Sequence, residues 1–527
     1  MNSINLKAYQ FGRLCLLKLD MKNSIIFIIS LCITLSSFSQ LTRQSYQTIK
    51  WNSIESSKKD PQQILIGSNH ENFYVINTVN DNKVIEMYDI NNLSLKESVI
   101  MDLKFSRATT DGYYLSSFML KGIPIIISGL VYNKSGKLVE PKLFYQIINP
   151  NTLRISAKKE IDIGLIIEKS FNDVPSIVSL IRKNKITKDG INNEFILKLF
   201  DEDFEEVVST EFEIPFDYFQ IRVRKYHSDG KLYMVCDELV KIDPKNRKGK
   251  GNYDLYIDDT YLLSIDIITG KVNTVKLIFD DYIITEDIFL SLLKNNDIVI
   301  SGFIKNPPMY GIEGCFSMRY DNNLTKINSK LTVFEDSFIT LRLSEKERNL
   351  FNKRNIKREL KGKAIIKATN LNNYNINHIV ELDDGSITIL AEENYIYYNG
   401  QDVTTHYLNL NIIAIHYNEE GEFVWKKMIT KKQDFLDKHI KYSDKEEYFS
   451  YFIIVDEDII DIIYNENDVV LKVRLHANGD TKKEILSPNL GDKNVKLMPL
   501  NCIQLKDDKV FFYAKGKKSR KFGILEF

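Results

Sequence analysis

The feature that most constrains the fold of this chain is a short pattern that recurs along it. An apolar strand-like run enters a short polar turn and leaves as another strand-like run, as in HYNEEGEFVWKKM, His416 to Met428. The copies lie around Tyr88, Ile148, Phe200, Ile265, Tyr320, Tyr417 and Leu475. Successive copies are about 50 to 65 residues apart, except between Tyr320 and Tyr417, and this period is in the range of propeller blades.

Each polar turn is preceded by two further strand-like runs, for example QILIGS and NFYVINTV before Tyr88. Four strands per period is the content of one propeller blade. Aromatic residues make up 11% of the chain, and β-branched residues crowd the short runs, a composition that favours sheets. The sequence therefore predicts an all-β chain folded as an eight-bladed β-propeller. In this prediction HYNEEGEFVWKKM forms the third and fourth strands of the sixth blade, with Gly421 at a turn position that tolerates positive φ.

The two ends of the chain predict how such a ring closes. The last period stops at Phe527, in KFGILEF, where the third strand of a final blade would end. A free strand-like segment lies at the other end, Leu41 to Ile54. We therefore expect the N- and C-terminal strands to share the eighth blade. Seven blades is the alternative, if one irregular unit is not a blade.

The N-terminal region has the pattern of a secretory signal peptide. A charged start at Met21 precedes the apolar run Ile25 to Leu35 and small residues up to Ser39. This pattern predicts cleavage near that point, and a membrane anchor is the alternative, although the run is short for a bilayer span. We expect 1–39 to be an upstream segment and signal peptide, and 40–527 to be a single propeller domain. The mature protein would be secreted or periplasmic, with no transmembrane anchor.

Charge and cysteine content restrict the possible functions. The chain has 71 basic and 71 acidic residues, whereas a nucleic-acid binder has a clustered excess of Lys and Arg, so no nucleic-acid partner is predicted. The cysteines beyond the signal segment are Cys236, Cys315 and Cys502, each in a strand-like run. Their wide spacing gives no disulfide framework, and we expect buried apolar side chains in preference to reactive thiols.

A basic helical insertion is predicted at 344–361, in the long gap between Tyr320 and Tyr417. It opens with a capping-box pattern, Ser344 followed by Glu347. The basic residues are Lys346, Arg348, Lys353, Arg354, Lys357, Arg358, Lys361 and Lys363. Two interpretations are open: a solvated helix with Leu343, Leu350 and Leu360 resting on the propeller rim, or a site for an anionic partner.

Residues from about Phe334 to Thr481 carry a family resemblance. They include FEDSFITLRLSEKER, HIVELDDGSITILAEENYIYY, LNIIAIHYNEEGEFVWKKMITKKQ and FSYFIIVDEDIIDIIYNEND. This region resembles a group of uncharacterised secreted β-propeller proteins of Gram-negative bacteria, in which a basic helix precedes a DDG-containing turn and a Tyr-rich hairpin. The resemblance implies the fold and export, and it brings no catalytic residues.

A second, more distant resemblance concerns the turns IDIITGKV and EEGEFVW. They are similar to the turn motif of quinoprotein propellers and of a related outer-membrane assembly scaffold, which repeat a Trp at the end of the motif in most blades. Only Trp425 occupies that position here, and the chain has two Trp in total. No quinone and no other cofactor is therefore predicted.

Motifs for catalysis or metal binding do not emerge from the sequence. The seven histidines show no HxxxH or HExxH spacing, so metal ligation by His is not supported. Carboxylate groups such as Asp383-Asp384 and Asp456-Glu457-Asp458 lack the order of a calcium loop, and turn chemistry accounts for them. We predict no catalytic residue and no metal site, and enzyme activity stays a minority hypothesis.

The predicted working surface comes from propeller connectivity. Loops between second and third strands emerge on the same face as the connections between blades, and function concentrates in long loops. The long connections are Lys241 to Tyr253, Asn306 to Gly314, Asn394 to Tyr407 and the basic helix. The candidate ligand-binding residues on them are Tyr310, Tyr395, Tyr397, Tyr398, His406, Lys248, Lys250 and Arg354. The alternative is that these are tolerated insertions whose tyrosines pack over the rim.

Three functions remain open at this point. The first is an interaction scaffold in the envelope or outside the cell, acting as a monomer on a protein or glycan partner. The second is a carbohydrate- or peptide-binding propeller, and the third is a hydrolase. A scaffold requires an exposed apolar or charged patch, a glycan binder requires stacking Tyr with polar neighbours, and a hydrolase requires two converging carboxylates.

Overall fold

The structure is a computed structural model, and its described residues all belong to one compact unit, Ile49–Phe527. They are 50–55, 64–69, 71–79, 82–101, 113–120, 122–132, 138–161, 168–169, 177–182, 193–201, 205–227, 229–241, 255–279, 282–305, 311–361, 363, 371–399, 404–436, 450–466, 469–487, 496–504, 509–515 and 519–526. The predicted signal peptide lies outside them. None of the helices within these ranges has the length and apolar character needed to cross a bilayer.

Almost all regular structure in these residues is β-strand, which confirms the predicted all-β class. The first strands are β1 (Lys50–Glu55), β2 (Ile64–Ser68), β3 (Asn72–Val79), β4 (Asn82–Asp89), β5 (Leu95–Ile100), β6 (Tyr113–Leu120), β7 (Ile123–Tyr132), β8 (Leu138–Ile147), β9 (Lys159–Ile161), β10 (Glu168–Lys169), β11 (Ile177–Arg182) and β12 (Glu194–Phe200). They are followed by β13 (Glu206–Glu213), β14 (Phe219–His227), β15 (Lys231–Lys241), β16 (Leu255–Asp266), β17 (Val272–Leu277), β18 (Ile283–Leu292), β19 (Ile298–Lys305), β20 (Gly314–Tyr320), β21 (Lys326–Val333), β22 (Tyr374–Glu381) and β23 (Ile387–Asn399). The remaining strands are β24 (Thr404–Tyr417), β25 (Phe423–Ile429), β26 (Gln433–Leu436), β27 (Phe452–Asp456), β28 (Ile459–Glu466), β29 (Val469–His476), β30 (Thr481–Ser487), β31 (Lys496–Leu497), β32 (Ile503–Gln504), β33 (Lys509–Lys515) and β34 (Ser519–Glu526).

The described strands form eight antiparallel sheets, which we number in chain order. Sheets 1 to 5 are β2–β5, β6–β9, β10–β13, β14–β17 and β18–β21; sheet 6 is β22–β26, sheet 7 is β27–β30, and sheet 8 combines β31–β34 with β1. In sheets 1 to 5 and in sheet 7 consecutive strands are neighbours, an up-and-down arrangement typical of propeller blades; in sheet 6 the extra strand β26 pairs with β24. The fragment quoted above forms β24 and β25 of sheet 6, as predicted, and Gly421 in its turn has a φ of 78°.

Burial changes across each sheet in a way that explains the sequence pattern. In sheet 5 the third strand β20, GCFSMRY, has a neighbouring strand on each side and is buried at every position. The fourth strand β21, KINSKLTV, alternates between half-buried and exposed positions over most of its length. Inner strands have neighbours on both faces and therefore read as continuous apolar runs, whereas the outermost strand has one solvated face.

The hydrophobic core lies between successive sheets. Shared apolar clusters join each sheet to the next in chain order. A further cluster joins sheet 8 to sheet 1, where Phe73 and Tyr88 pack against Phe511 and Phe522 with ring centroids 4.7 to 5.5 Å apart. The cysteines are part of these cores: Cys236, Cys315 and Cys502 are buried and free, as predicted.

The terminal strands meet in sheet 8. Strand β1 pairs antiparallel with β34, from Lys50 opposite Ile524 to Glu55 opposite Ser519. Strand β34 in turn pairs with β33, and the short strands β31 and β32 both pair with β33 on its other side. The N-terminal segment therefore supplies the outermost strand of a sheet whose other strands come from the C-terminus.

Two helices lie in the described residues between sheet 5 and sheet 6. Helix α1 (Asp336–Ile339) and a 3-10 turn (Thr340–Arg342) lead into helix α2 (Glu345–Glu359). Ser344 and Glu347 form a capping box, in which each accepts a hydrogen bond from the backbone N–H of the other. Leu350 and Leu360 are exposed, so the expectation that they rest on the rim is wrong; the helix uses another face for packing.

The strand order defines two ends of the sheets. The turn end carries the first-to-second and third-to-fourth strand connections. The hairpin end carries the second-to-third connections and the connections between sheets. Helix α2 links the fourth strand of sheet 5 to the first strand of sheet 6, so it lies at the hairpin end, as does the connection between β23 and β24.

Candidate functional site

The candidate site is the long hairpin of sheet 6 at the hairpin end. Strands β23 and β24, at 13 and 14 residues, are the longest in the described part of the chain. They stay paired from Ile387 opposite Tyr417 to Asn399 opposite Thr404. A third strand, β26, pairs with the distal part of β24, Leu436 lying opposite His406. We call residues 394–399 of β23, residues 404–409 of β24 and strand β26 the sheet 6 hairpin.

This geometry corrects the prediction that Asn394 to Tyr407 is an irregular loop. Both sides of the connection continue as paired strands, and only 400–403 separate them. The physical reason is composition, because aromatic and β-branched residues such as those of NYIYYN and TTHYL favour paired, pleated backbone. A long strand pair is a more rigid support for exposed side chains than a loop.

The structure places five of the predicted site residues. Tyr395 is 37% exposed on β23, Tyr397 lies opposite His406 and Tyr398 opposite Thr405 in the paired strands. Arg354 is exposed on α2. The remaining three, Tyr310, Lys248 and Lys250, lie outside the described residues.

Two buried glutamates form the base of the sheet 6 hairpin. Glu392 and Glu393 are both buried, next to a register shift between β23 and β24. Asn409 donates its side-chain amide to Glu392 at 3.0 Å, and Asn411 donates to Glu393 at 3.2 Å. The buried Lys431 forms an ion pair with Glu392. Sequence reasoning missed these residues, because an adjacent acidic pair ordinarily marks a solvated surface.

The environment shifts the ionisation of this network. Burial raises the pKa of Glu393, although hydrogen bonds from Asn411 and Tyr374 and the nearby Arg342 guanidinium oppose the shift. Burial likewise lowers the pKa of Lys431, with Glu392 acting in the opposite direction. The pKa of Tyr374 is raised, first by burial and then by Glu393. Desolvation is therefore the dominant influence on these groups.

Further buried hydrogen bonds tie sheet 6 to the sheets that follow it. Gln433 donates from its side chain to the backbone carbonyl of Asn465 at 2.9 Å. Asn465 in turn donates to the carbonyl of Leu497 at 2.7 Å and accepts from its N–H at 2.9 Å. These bonds connect sheets 6, 7 and 8 below the sheet 6 hairpin. Buried hydrogen bonds therefore hold the base of the sheet 6 hairpin in place.

Helix α2 begins beside this base. Arg342, in the 3-10 turn just before α2, acts electrostatically on both Glu393 and Tyr374. The start of helix α2 therefore lies next to the base of the sheet 6 hairpin, and both are at the hairpin end of the sheets. Arg354 and Tyr395 thus lie on two segments that are neighbours where Arg342 approaches Glu393.

A separate acidic cluster could hold a cation. Carboxylate oxygens of Glu238, Asp258 and Asp259 lie within 4.8 Å of one another on β15 and β16. A register shift next to Glu238 places both aspartates close to it. Lys276 already contacts Asp259 at 2.6 Å. Sequence reasoning missed this cluster because only strand register brings Glu238 to the Asp-Asp pair.

The carboxylates and thiols noted in the sequence have structural roles. Asp384 accepts the backbone N–H of Ser386 in a turn at 2.9 Å, and Asp383 forms an ion pair with Lys294 at 2.9 Å. Burial raises the pKa of the Cys236, Cys315 and Cys502 thiols to about 12. A thiol with so high a pKa is a poor nucleophile at neutral pH.

Comparison with known proteins adds no functional assignment. No protein-family model and no curated protein matches the sequence. Similar solved structures include the Dos1 propeller, with 9% identity, a TM-score of 0.44, and coverage of 90% of this chain and 96% of that one. Another is a post-proline cleaving enzyme from Rickettsia typhi, with 12% identity, a TM-score of 0.40, and coverage of 88% and 58%. A third is the polysaccharide lyase Uly1, with 10% identity, a TM-score of 0.35, and coverage of 93% and 95%. Scores and identities this low carry no argument about what the chain does.

Proposed function

We propose that this protein is an exported, eight-bladed β-propeller that acts as a monomeric binding scaffold in the envelope or outside the cell. Two observations support the closed, eight-bladed form: apolar clusters join successive sheets, including sheet 8 to sheet 1, and β1 pairs with β34. Export rests on the signal-peptide pattern from Met21 to Ser39 and on the resemblance to secreted propellers.

The observation that carries the binding role is the sheet 6 hairpin. It extends a pair of strands past the buried Glu392 and Glu393 and displays Tyr395 and Ile396 to solvent, at 37% and 68% exposure. Exposed aromatic side chains on a rigid support provide contact area at low entropic cost. We propose that this surface binds a protein or glycan partner through Tyr395, Tyr397 and His406, which strand alternation places on one face. Tyr398 contributes from the tip of the hairpin, and Tyr310, Lys248, Lys250 and Arg354 contribute from neighbouring segments.

Catalysis is not part of the proposal. The carboxylates at the base of the sheet 6 hairpin, Glu392 and Glu393, are buried and already engaged by Lys431 and by two asparagine amides. A glycosidase needs two carboxyl groups that reach the substrate from opposite sides of the scissile bond. This network is better suited to supporting the hairpin than to acting on a substrate.

A ligand screen on matched variants tests the binding role. The purified protein is screened by thermal shift against glycans and extended peptides, because a ligand that binds only the native state raises Tm. We expect a ligand that raises the Tm of the wild-type protein and of Ile396→Ala, but not of Tyr395→Ala. The two residues are neighbours on opposite faces of one strand, so Ile396→Ala controls for general damage to the hairpin.

Two results would reject the proposal. One is a screen in which no glycan or peptide raises Tm. The other is a ligand that stabilises Tyr395→Ala as well as it stabilises the wild-type protein. The Tm values without ligand should agree among the three proteins, since both side chains are exposed.

A further inference from the structure

Helix α2 has one packed face, and it is not the leucine face. The half-buried residues are Arg348, Phe351, Asn355 and Arg358, spaced three, four and three apart, which places them on one side of a helix. Phe351 packs against the core shared by sheets 5 and 6. No residue of α2 is fully buried. The opposite side of the helix therefore faces away from the protein.

The central sector of the outward side combines lysines with aliphatic residues, and the exposed Glu345 lies at its margin in the first turn. At 3.6 residues per turn this sector contains Lys346, Asn349, Leu350, Lys353, Ile356, Lys357 and Leu360, all of them exposed. Lys346, Lys353 and Lys357 form a stripe that extends for about 16 Å along the axis. Of the acidic residues, Glu347 is held in the capping box. Glu345 and Glu359 lie near the two ends of the helix and outside this sector.

The aliphatic residues distinguish between classes of anionic partner. Leu350, Ile356 and Leu360 are 48%, 54% and 81% exposed. A soluble polyanion would satisfy the lysines and leave these side chains in water. The surface of an anionic bilayer satisfies both, because lysines reach the headgroup phosphates while leucine and isoleucine enter the boundary with the acyl chains.

We propose that helix α2 binds anionic lipid surfaces, and so holds the protein at a membrane with its outward side against the headgroups. This goes beyond the proposed function, since it gives the helix a partner different from the ligand of the sheet 6 hairpin. The charge pattern supports it: the charged residues in the central sector of the outward side are all lysines and complement a negatively charged leaflet. The capping box and Phe351 fix the helix in a preformed state, so no folding has to accompany binding.

Vesicle flotation with the purified protein tests the proposal. One set of vesicles contains phosphatidylcholine alone, and the other contains equal amounts of phosphatidylcholine and phosphatidylglycerol. We expect the protein to float with the mixed vesicles and not with the neutral ones. Binding should weaken as the salt concentration rises, because salt screens the attraction.

Two variants and one control separate the contribution of the lysine stripe to vesicle binding from that of the aliphatic residues. Replacing the stripe, Lys346→Gln with Lys353→Gln and Lys357→Gln, should weaken binding to the mixed vesicles at least about tenfold, since each lysine near such a surface contributes on the order of a fivefold change in affinity. Ile356→Ser with Leu360→Ser should also weaken vesicle binding. The control changes three exposed lysines elsewhere, Lys271→Gln, Lys326→Gln and Lys427→Gln. It removes the same net charge and should bind like the wild-type protein.

Several outcomes would overturn the proposal. Equal flotation with both kinds of vesicle, flotation with neither, or equal losses in the stripe variant and the control would each do so. A further test adds inorganic polyphosphate as a soluble polyanion. Tight binding of polyphosphate together with vesicle binding that Ile356→Ser and Leu360→Ser leave unchanged would assign the helix to soluble polyanions instead. Ligand binding at Tyr395 is measured separately, so a failure of one proposal leaves the other standing.

Discussion

The turn end and the hairpin end of the sheets differ in the contacts that stabilise them and in how much their connections vary from sheet to sheet. At the turn end the third-to-fourth strand turns are short, and many begin with an Asp or Asn that caps its own turn. Asp89, Asn149, Asp266 and Asp321 each accept the backbone N–H two residues later at 2.8 to 3.0 Å. At the hairpin end the sheets continue into the sheet 6 hairpin and into helix α2. The turn end repeats the same capped turn in several sheets, whereas the long hairpin and helix α2 at the hairpin end each occur in one place.

Hydrogen bonds at the turn end also link neighbouring sheets. A side chain of one sheet donates to a turn carbonyl of the following sheet in several places: Tyr74 to Pro150, Thr210 to Ile267, Lys231 to Asn322, Asn328 to Glu420 and Trp425 to Ala477, at 2.5 to 2.7 Å. The donors differ in type, but the acceptor lies within the third-to-fourth strand turn each time. The backbone of the turn is therefore the shared element, and the donor is free to vary.

This difference predicts that single ion pairs matter more at the hairpin end. Lys431→Met should lower the free energy of unfolding by about 3 to 5 kcal/mol, because it leaves the buried Glu392 without its counter-charge. The double change Glu392→Gln with Lys431→Met should recover most of that loss. Urea unfolding gives both values.

The matched change at the turn end is Lys330→Met. Its partner Glu422 lies in the turn before β25 of sheet 6, whereas Lys330 lies on β21 of sheet 5, and both side chains are substantially exposed. We expect a loss below about 1 kcal/mol, since solvent screens the pair. Comparable losses for the two lysines would contradict the contrast drawn between the two ends.

Two glycines of sheet 4 measure how tightly the turn end is packed. Gly270 and Gly230 both have positive φ, 70° and 81°. A Cβ on Gly270 would lie 2.3 Å from the backbone oxygen of Glu211 in sheet 3, whereas at Gly230 the nearest atom is 3.7 Å away. Gly230→Ala should cost about 1 to 2 kcal/mol through backbone strain alone. Gly270→Ala should cost clearly more, because the neighbouring sheet must move. Equal losses in urea unfolding would show that the sheets are not held close at this turn.

A further prediction concerns a single hydrogen bond between sheets 6 and 7. Trp425 donates from its indole nitrogen to the carbonyl of Ala477 and stacks on His416 with centroids 5.0 Å apart. Trp425→Phe keeps an aromatic ring but removes the donor, so we expect a loss of about 1 kcal/mol in the free energy of unfolding. Trp425→Ala, which also removes the ring, should lose several times as much. A phenylalanine variant as unstable as the alanine variant would mean that packing alone, without the hydrogen bond, ties sheet 6 to sheet 7 here.

Much of the turn end could be predicted from the sequence. Gly421 occupies a left-handed turn position as expected, because polar turn residues between strand-like runs are a local signal. The signal was incomplete, since Leu93, Leu153 and Leu324 also adopt positive φ in equivalent turns and are buried there. A leucine gives no turn signal by itself. Only the pocket that buries its side chain accounts for the unusual backbone.

The hairpin end was predicted less well. The sequence predicts an irregular connection from Asn394 to Tyr407. In the structure it is mostly paired strand, because strands β23 and β26 flank β24 and supply hydrogen-bond partners along its distal part. Strand pairing with β26 depends on a segment separated from β24 by the whole of β25, which a local pattern does not contain.

The sequence by itself determined the all-β class, the strand-like runs, the positions of the polar turns and the capped start of helix α2. These follow from short-range chemistry: side-chain alternation, turn-forming residues and a capping box between Ser344 and Glu347. The tertiary structure decided which charges are buried and which leucines are exposed. Glu392, Lys431, Leu350 and Leu360 all contradict their usual preferences. Their environments are set by strand register and by which helix face meets the core, and both depend on segments far apart in the chain.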